Sequence, residues 1–116
     1  MIALVALGGF VGANLRYAVS LVVTGLGGTL LANALGSVLL GVVLYEARAI
    51  GVLSPRARTL LATGILASFT TYSTFAVQTA GVSPALMVGN VAANYGLGFL
   101  GVVLGRSLAL RHGGGA

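Results

Sequence analysis

Charge is what this 116-residue chain has least of: charged residues make up 6% of it, against about a quarter in an ordinary soluble domain. Six Arg, no Lys and a single acid, Glu46, cannot cover a soluble surface. With 58% hydrophobic residues and a mean hydropathy of +1.08, disorder is excluded as well, and so are most nucleic-acid binders. The net charge of +5 reflects missing acids rather than a basic face. Cysteine is absent, so there is neither a disulfide framework nor a thiolate metal site. The single histidine, His112, sits in a Gly-rich tail, which excludes a His-based cluster within one chain. Without a catalytic carboxylate pair or a nucleophile with its base, an enzyme is not expected. What remains is an integral membrane protein.

A helical span needs roughly 20 apolar residues. Residues 17–45 carry no charge, and neither do residues 59–105, a stretch too long for one crossing and suited to two. The turn between those two falls at Ala80-Gly81-Val82-Ser83-Pro84, with Pro84 fitted to the first turn of the next helix. In the first half the chain breaks at Gly25-Leu26-Gly27-Gly28. The expected fold is all-α, one domain over residues 1–116, with spans at about 2–23, 29–49, 57–80 and 84–108. The first span lacks a basic n-region and contains Arg16, so it is read as mature structure and not as a cleaved signal peptide.

Glycine is abundant, 19 of 116 residues. Gly8 and Gly12 in the first span, Gly36 and Gly41 in the second, and Gly101 and Gly105 in the fourth are candidates for close helix packing, which lipid demands because hydrophobic drive between helices is small there. A four-helix unit this small has little volume to enclose a pathway, so an oligomer is expected. The second span carries Thr29, Asn33, Ser37 and Gly41 at intervals of four, and the fourth carries Asn90, Asn94 and Gly98. Such stripes either glue helices together or line a water- or ion-bearing surface. The third span holds Ser68-Phe69-Thr70-Thr71-Tyr72-Ser73-Thr74-Phe75, where five of eight residues are Ser or Thr. Their hydroxyls can compete with the helix ladder, and a non-helical backbone at this depth must be buried or line a cavity. Tyr72 and Phe75 would share a face of a continuous helix, as packing or as ring edges facing an anion. Arg16 either snorkels to the interface or attracts anions.

Coupled transport of protons or cations relies on a carboxylate within the membrane, and Glu46 lies near the end of its span. A small multidrug-resistance antiporter has similar length, but its first helix would carry a Glu that is absent here. A passive route for a small anion fits the hydroxyls, amides and ring edges better.

Three motifs together, Gly8-Gly9-x-x-Gly12-Ala13-x-x-Arg16-Tyr17, Gly28-Thr29-Leu30-x-x-Asn33-x-x-Gly36-Ser37-x-x-x-Gly41 and Thr70-Thr71-Tyr72-Ser73-Thr74-Phe75, resemble the CrcB/Fluc fluoride channels along essentially the whole chain. The resemblance implies an antiparallel dimer with two narrow pores, a third helix broken at mid-membrane, and passive export of the fluoride that accumulates when HF enters a cell and ionises. It implies a fluoride path at Asn33, Tyr72, Ser73, Thr74, Phe75, Asn90 and Asn94. It also implies a structural Na⁺ at the dimer interface, held by the backbone carbonyls of Ala67 and Thr70. The family usually has Phe at the position of Tyr72, Gly at Ala67 and Tyr at Leu86. The alternative kept beside the channel is a non-conducting accessory subunit of a heterodimer. The implied partners are fluoride, Na⁺, the bilayer of the cell membrane and a second antiparallel subunit, itself or a related chain; no nucleic acid is expected.

Four spans place both termini and the middle loop on one side. That side carries Arg48, Arg56, Arg58, Arg106 and Arg111, while only Arg16 leans to the other. The positive-inside rule then predicts cytoplasmic termini, a fixed orientation and an oppositely oriented related partner, against a dual-topology homodimer.

Overall fold

Lipid supplies no hydrogen bonds, so a backbone that crosses it must satisfy its own N–H and C=O groups, and helix does this within one segment. The computed structural model describes residues 2–112, with the backbone alone at 47–49 and 112; the side chains of Arg48 and His112 and the tail at 113–116 lie outside the described residues. Helix α1 spans Ile2–Val22, α2 Gly25–Ala49 and α6 Pro84–His112. Between α2 and α6 the chain is composite: α3 at Pro55–Arg58, a π-helical segment at Thr59–Leu66, α4 at Ala67–Phe69 and α5 at Ser73–Ala80. Among the described residues four stretches are long and apolar enough to cross a membrane: Ile2–Val22, Gly25–Glu46, Pro55–Ala80 and Pro84–Arg111. The protein is an all-α, four-span membrane protein, as its composition predicts.

Several boundaries differ from those expected from the sequence: α1 ends at Val22 and not 23, and the third span begins at Pro55 and not 57. Helix α2 begins at Gly25 and not at 29, because the link after α1 is only Val23 and Thr24. Gly25 takes φ +70°, and a Cβ on Gly28 would collide with the Val23 carbonyl oxygen, so glycine alone permits so tight a turn. Helix α6 continues past 108 to His112. At its start Pro84 opens the helix, and Ser83 Oγ accepts from Leu86 N at 3.4 Å. The loop after α2 is organised by the one acid. Glu46 Oε2 accepts from Val52 N (2.6 Å) and Leu53 N (2.9 Å), while Oε1 pairs with Arg58 at 2.9 Å. Ser54 then caps α3 by accepting from Ala57 N at 3.1 Å.

The helices pack as two glycine seams. In the first, α1 lies on the π-helical segment: a Cβ on Gly8 would stand 2.6 Å from Gly64 Cα, and one on Gly12 would strike Ile65 O and Ser68 Oγ. In the second, α2 lies on α6: a Cβ on Gly41 would sit 2.5 Å from Val102 O, one on Gly101 3.1 Å from Ala34 O, and one on Gly105 would strike Val38 O. Gly36 faces neither seam; its neighbour is the Thr70 methyl. The outward faces carry exposed large apolar residues such as Phe10, Leu21, Phe99 and Leu100, which acyl chains or a second subunit cover in a bilayer.

Gly105→Ala should therefore separate α2 from α6 and lower stability by about 1–3 kcal/mol, the usual cost of over-packing. Gly89→Ala, whose Cβ would meet nothing within 4 Å, should leave stability unchanged or slightly raised. Thermal unfolding of the two variants in detergent is the check, and equal midpoints would contradict the seam.

Candidate functional site

Helical hydrogen bonding in the third span lapses just after Thr70, whose N–H still reaches Leu66 O at 3.1 Å. The hydroxyls bond back along the helix here, Ser68 Oγ to Gly64 O at 2.9 Å and Thr70 Oγ1 to Leu66 O at 3.0 Å, a pattern that loosens a helix. Thr70 itself is extended (φ −76°, ψ 158°), and helix resumes at Ser73. In a continuous helix Thr71 N would donate to Ala67 O. It donates instead to Asn33 Oδ1 at 2.8 Å, and Asn33 Nδ2 donates back to Thr71 O at 3.1 Å. One carboxamide from α2 thus takes both backbone polar groups of Thr71. Left unpaired and buried, each group would cost about 1–3 kcal/mol.

From Asn33 the polar contacts continue across α6 to α5. The second Asn33 N–H donates to Asn94 Oδ1 at 3.2 Å. Asn94 Nδ2 bonds Asn90 O (2.9 Å) and Asn90 Oδ1 (3.0 Å), and Asn90 Nδ2 reaches Thr79 Oγ1 at 2.7 Å. Thr79 Oγ1 in turn donates to Phe75 O at 2.6 Å. The Asn stripes of α2 and α6 are therefore joined in one network around the break, with Asn90 buried in it.

Asn33, Tyr72, Phe75 and Asn94 line one recess of about 120 Å³, together with Thr71 and Tyr95. Phe75 is buried there, and its ring meets Tyr95 in a T-shaped pair at 6.1 Å and Tyr72 at 5.9 Å. Aromatic edges carry partial positive charge, so such a recess suits an anion. The other expected residues fall apart from it. Thr74 lines a second recess, of about 250 Å³, with Arg16, Tyr17, Ser20, Thr29 and Gln78, and Ser73 is exposed. Arg16 is half-buried against that polar recess. Ala67 and Thr70 line a third recess of about 230 Å³ beside Asn33, Gly36 and Ser37. The only acid, Glu46, is at the far end of α2 and is paired with Arg58.

Four contributors carried no assigned role in the sequence reading. Thr71 stood in the hydroxyl run without being distinguished from its neighbours. Thr79 and Gln78 share the uncharged span, yet their partners, Asn90 and Thr29, lie on other helices. Tyr95 directly follows Asn94, but no spacing rule ties it to Phe75 before the helices are packed.

The family described as CrcB-like protein, Camphor Resistance (CrcB), matches this chain over residues 3–106. Among curated proteins the chain is 60% identical over 108 residues to the fluoride-specific ion channel FluC 2 of Halobacterium salinarum, covering 92% of this chain and 84% of that protein. It is 50% identical over 114 residues to the fluoride-specific ion channel FluC 1 of Haloarcula marismortui, covering 98% and 89%. A more distant relative, the fluoride-specific ion channel FluC of Clostridium perfringens, is 36% identical over 116 residues, covering 91% of each.

Proposed function

The chain belongs to the CrcB family, and from that membership we propose that it is a subunit of a fluoride-specific ion channel that lets fluoride leave the cell passively. HF crosses membranes as a neutral acid and ionises inside, so a pathway for the anion alone is enough to lower its accumulation. The observation that carries the reading is the recess between Asn33, Tyr72, Phe75 and Asn94, which sets aromatic edges beside an amide network with no acid nearby. A narrow path lined by fixed groups replaces the hydration of the ion, the general basis of channel selectivity. Tyr72 and Phe75 supply ring edges, Asn33, Asn90 and Asn94 hold the wall in place, and Ser73 and Thr74 belong to the approaches. Purified protein in fluoride-loaded liposomes should release fluoride, and Phe75→Ile should slow release by about two- to tenfold, the worth of a ring-edge contact. No release above empty vesicles would overturn the channel reading.

The break also suits a structural Na⁺. Thr71 N is taken by Asn33, so the Ala67 carbonyl lacks its helical partner, and Thr70 is extended beside it. Backbone oxygens suit a hard cation, and no acid is needed. Ala67 and Thr70 would hold the ion together with the same carbonyls of a second subunit, and it would tie the two broken helices together. Replacing all Na⁺ by a bulky organic cation should weaken the dimer, read by size exclusion or thermal unfolding; identical behaviour in both salts would remove the site.

Arginine sets the orientation. Among the described residues, Arg56, Arg58, Arg106 and Arg111 lie at the end of the bundle where α1 begins and α6 ends, and Arg16 lies toward the other end. By the positive-inside rule both termini are cytoplasmic in the cell membrane, and the antiparallel partner is an oppositely oriented related chain. The numbered names FluC 1 and FluC 2 among the relatives support the idea that such chains occur in more than one version. Reporters fused to the C-terminus should give signal from the cytoplasmic side only. Comparable signal from both sides would instead indicate a dual-topology homodimer.

A further inference from the structure

The amides that line the aromatic recess have little left to give an anion. Both N–H bonds of Asn33 are engaged, with Thr71 O and Asn94 Oδ1, and both contacts of Asn94 Nδ2 go to Asn90. The donors that remain are hydroxyls. Tyr72 and Tyr95 are 72% and 63% exposed, so their hydroxyls belong to the outer rim. Thr71 is different, at 9% exposure. Its Oγ1 accepts from Thr74 N at 3.2 Å, and among the described residues its O–H donates to none. The bond from Thr74 occupies a lone pair and leaves the proton free to point elsewhere.

Thr71 is also where two recesses meet. It lines the aromatic recess with Phe75 and Asn94, and it lines the polar recess with Arg16, Thr74 and Gln78. No other residue is shared by those two linings. Arg16 gives the polar recess a positive charge that raises the local concentration of anions. From there to the ring edges a dehydrated anion needs one more donor, and Thr71 stands at that point. Its backbone is clamped by Asn33, so the hydroxyl is held in place without being consumed.

Building on the channel reading, we propose that the Thr71 hydroxyl is the donor that hands fluoride between the Arg16 recess and the aromatic recess. The step is a hydrogen bond made and broken, with no covalent change. Hydrogen bonds to charged groups are the stronger kind, so losing this one should slow passage by about tenfold or more. The test is fluoride release from liposomes by the channel and its Thr71→Val and Thr71→Ser variants, each checked for parental elution on size exclusion. Thr71→Val should fall by about tenfold or more, and Thr71→Ser, which keeps the hydroxyl, should stay within about threefold of the parent. If valine conducts like the parent, or if serine and valine lose flux equally, the hydroxyl is not the donor. Should the valine variant fail to assemble, Thr71→Cys carries the same test, since a thiol is a weak donor; parental flux in it would overturn the proposal. A parent that releases no fluoride removes the channel reading itself, a result distinct from a conducting parent with an unaffected Thr71→Val.

Discussion

A helix interrupted in lipid needs something inside the protein to take over the hydrogen bonds it drops. Here that partner is the carboxamide of Asn33, which accepts from Thr71 N and donates to Thr71 O. Much of the site follows from this pairing. It lets α5 restart at Ser73, and Phe75 in that helix meets Tyr95 of α6. It leaves the Ala67 carbonyl without its helical donor. It also fixes Thr71 so that only its side chain still has a proton to offer.

Asn33 can reach Thr71 only because the helices approach closely. The α2–α6 seam at Gly41, Gly101 and Gly105 puts Asn94 within 3.2 Å of Asn33, and Gly36 makes room for the Thr70 methyl next to the break. On the other side Gly8 and Gly12 press α1 onto the π-helical segment that leads into the break. Small residues thus do more than tighten a bundle: they set the distance over which a short amide side chain works. Hydroxyl residues add to this by bonding back to Gly64 O and Leu66 O, so the segment before the break is already weakened as a helix.

Charge is distributed with similar economy. The single carboxylate is spent at the end of α2, on two backbone N–H groups and Arg58, where it organises a loop and leaves the centre of the bundle free of negative charge. A pathway proposed for an anion gains from that vacancy. At the opposite end Arg16 is the one cation among the described residues, and it faces a polar recess and not only lipid. The same scarcity that marks the protein as membrane-embedded therefore keeps negative charge out of the recesses around the break.

Composition and charge spacing alone were enough to establish an all-α membrane protein with four spans, because covering a bilayer core needs long uncharged apolar stretches and little else satisfies the backbone there. The packing glycines, the Asn stripes and the hydroxyl run were legible as periodic features within single helices. Whether the third helix continued through that run was not, since Ser and Thr weaken a helix without ending it and no proline stands in the segment. Tertiary structure decided it, by placing an amide of α2 beside Thr71. It likewise decided that Asn33 and Asn94 spend their donors on the chain, that Tyr95 joins Phe75, and that Thr79 and Gln78 find partners on other helices. Periodicity reports which residues share a face of one helix; which face meets which is set by packing between helices, and that is where a hydrogen bond gains its second partner.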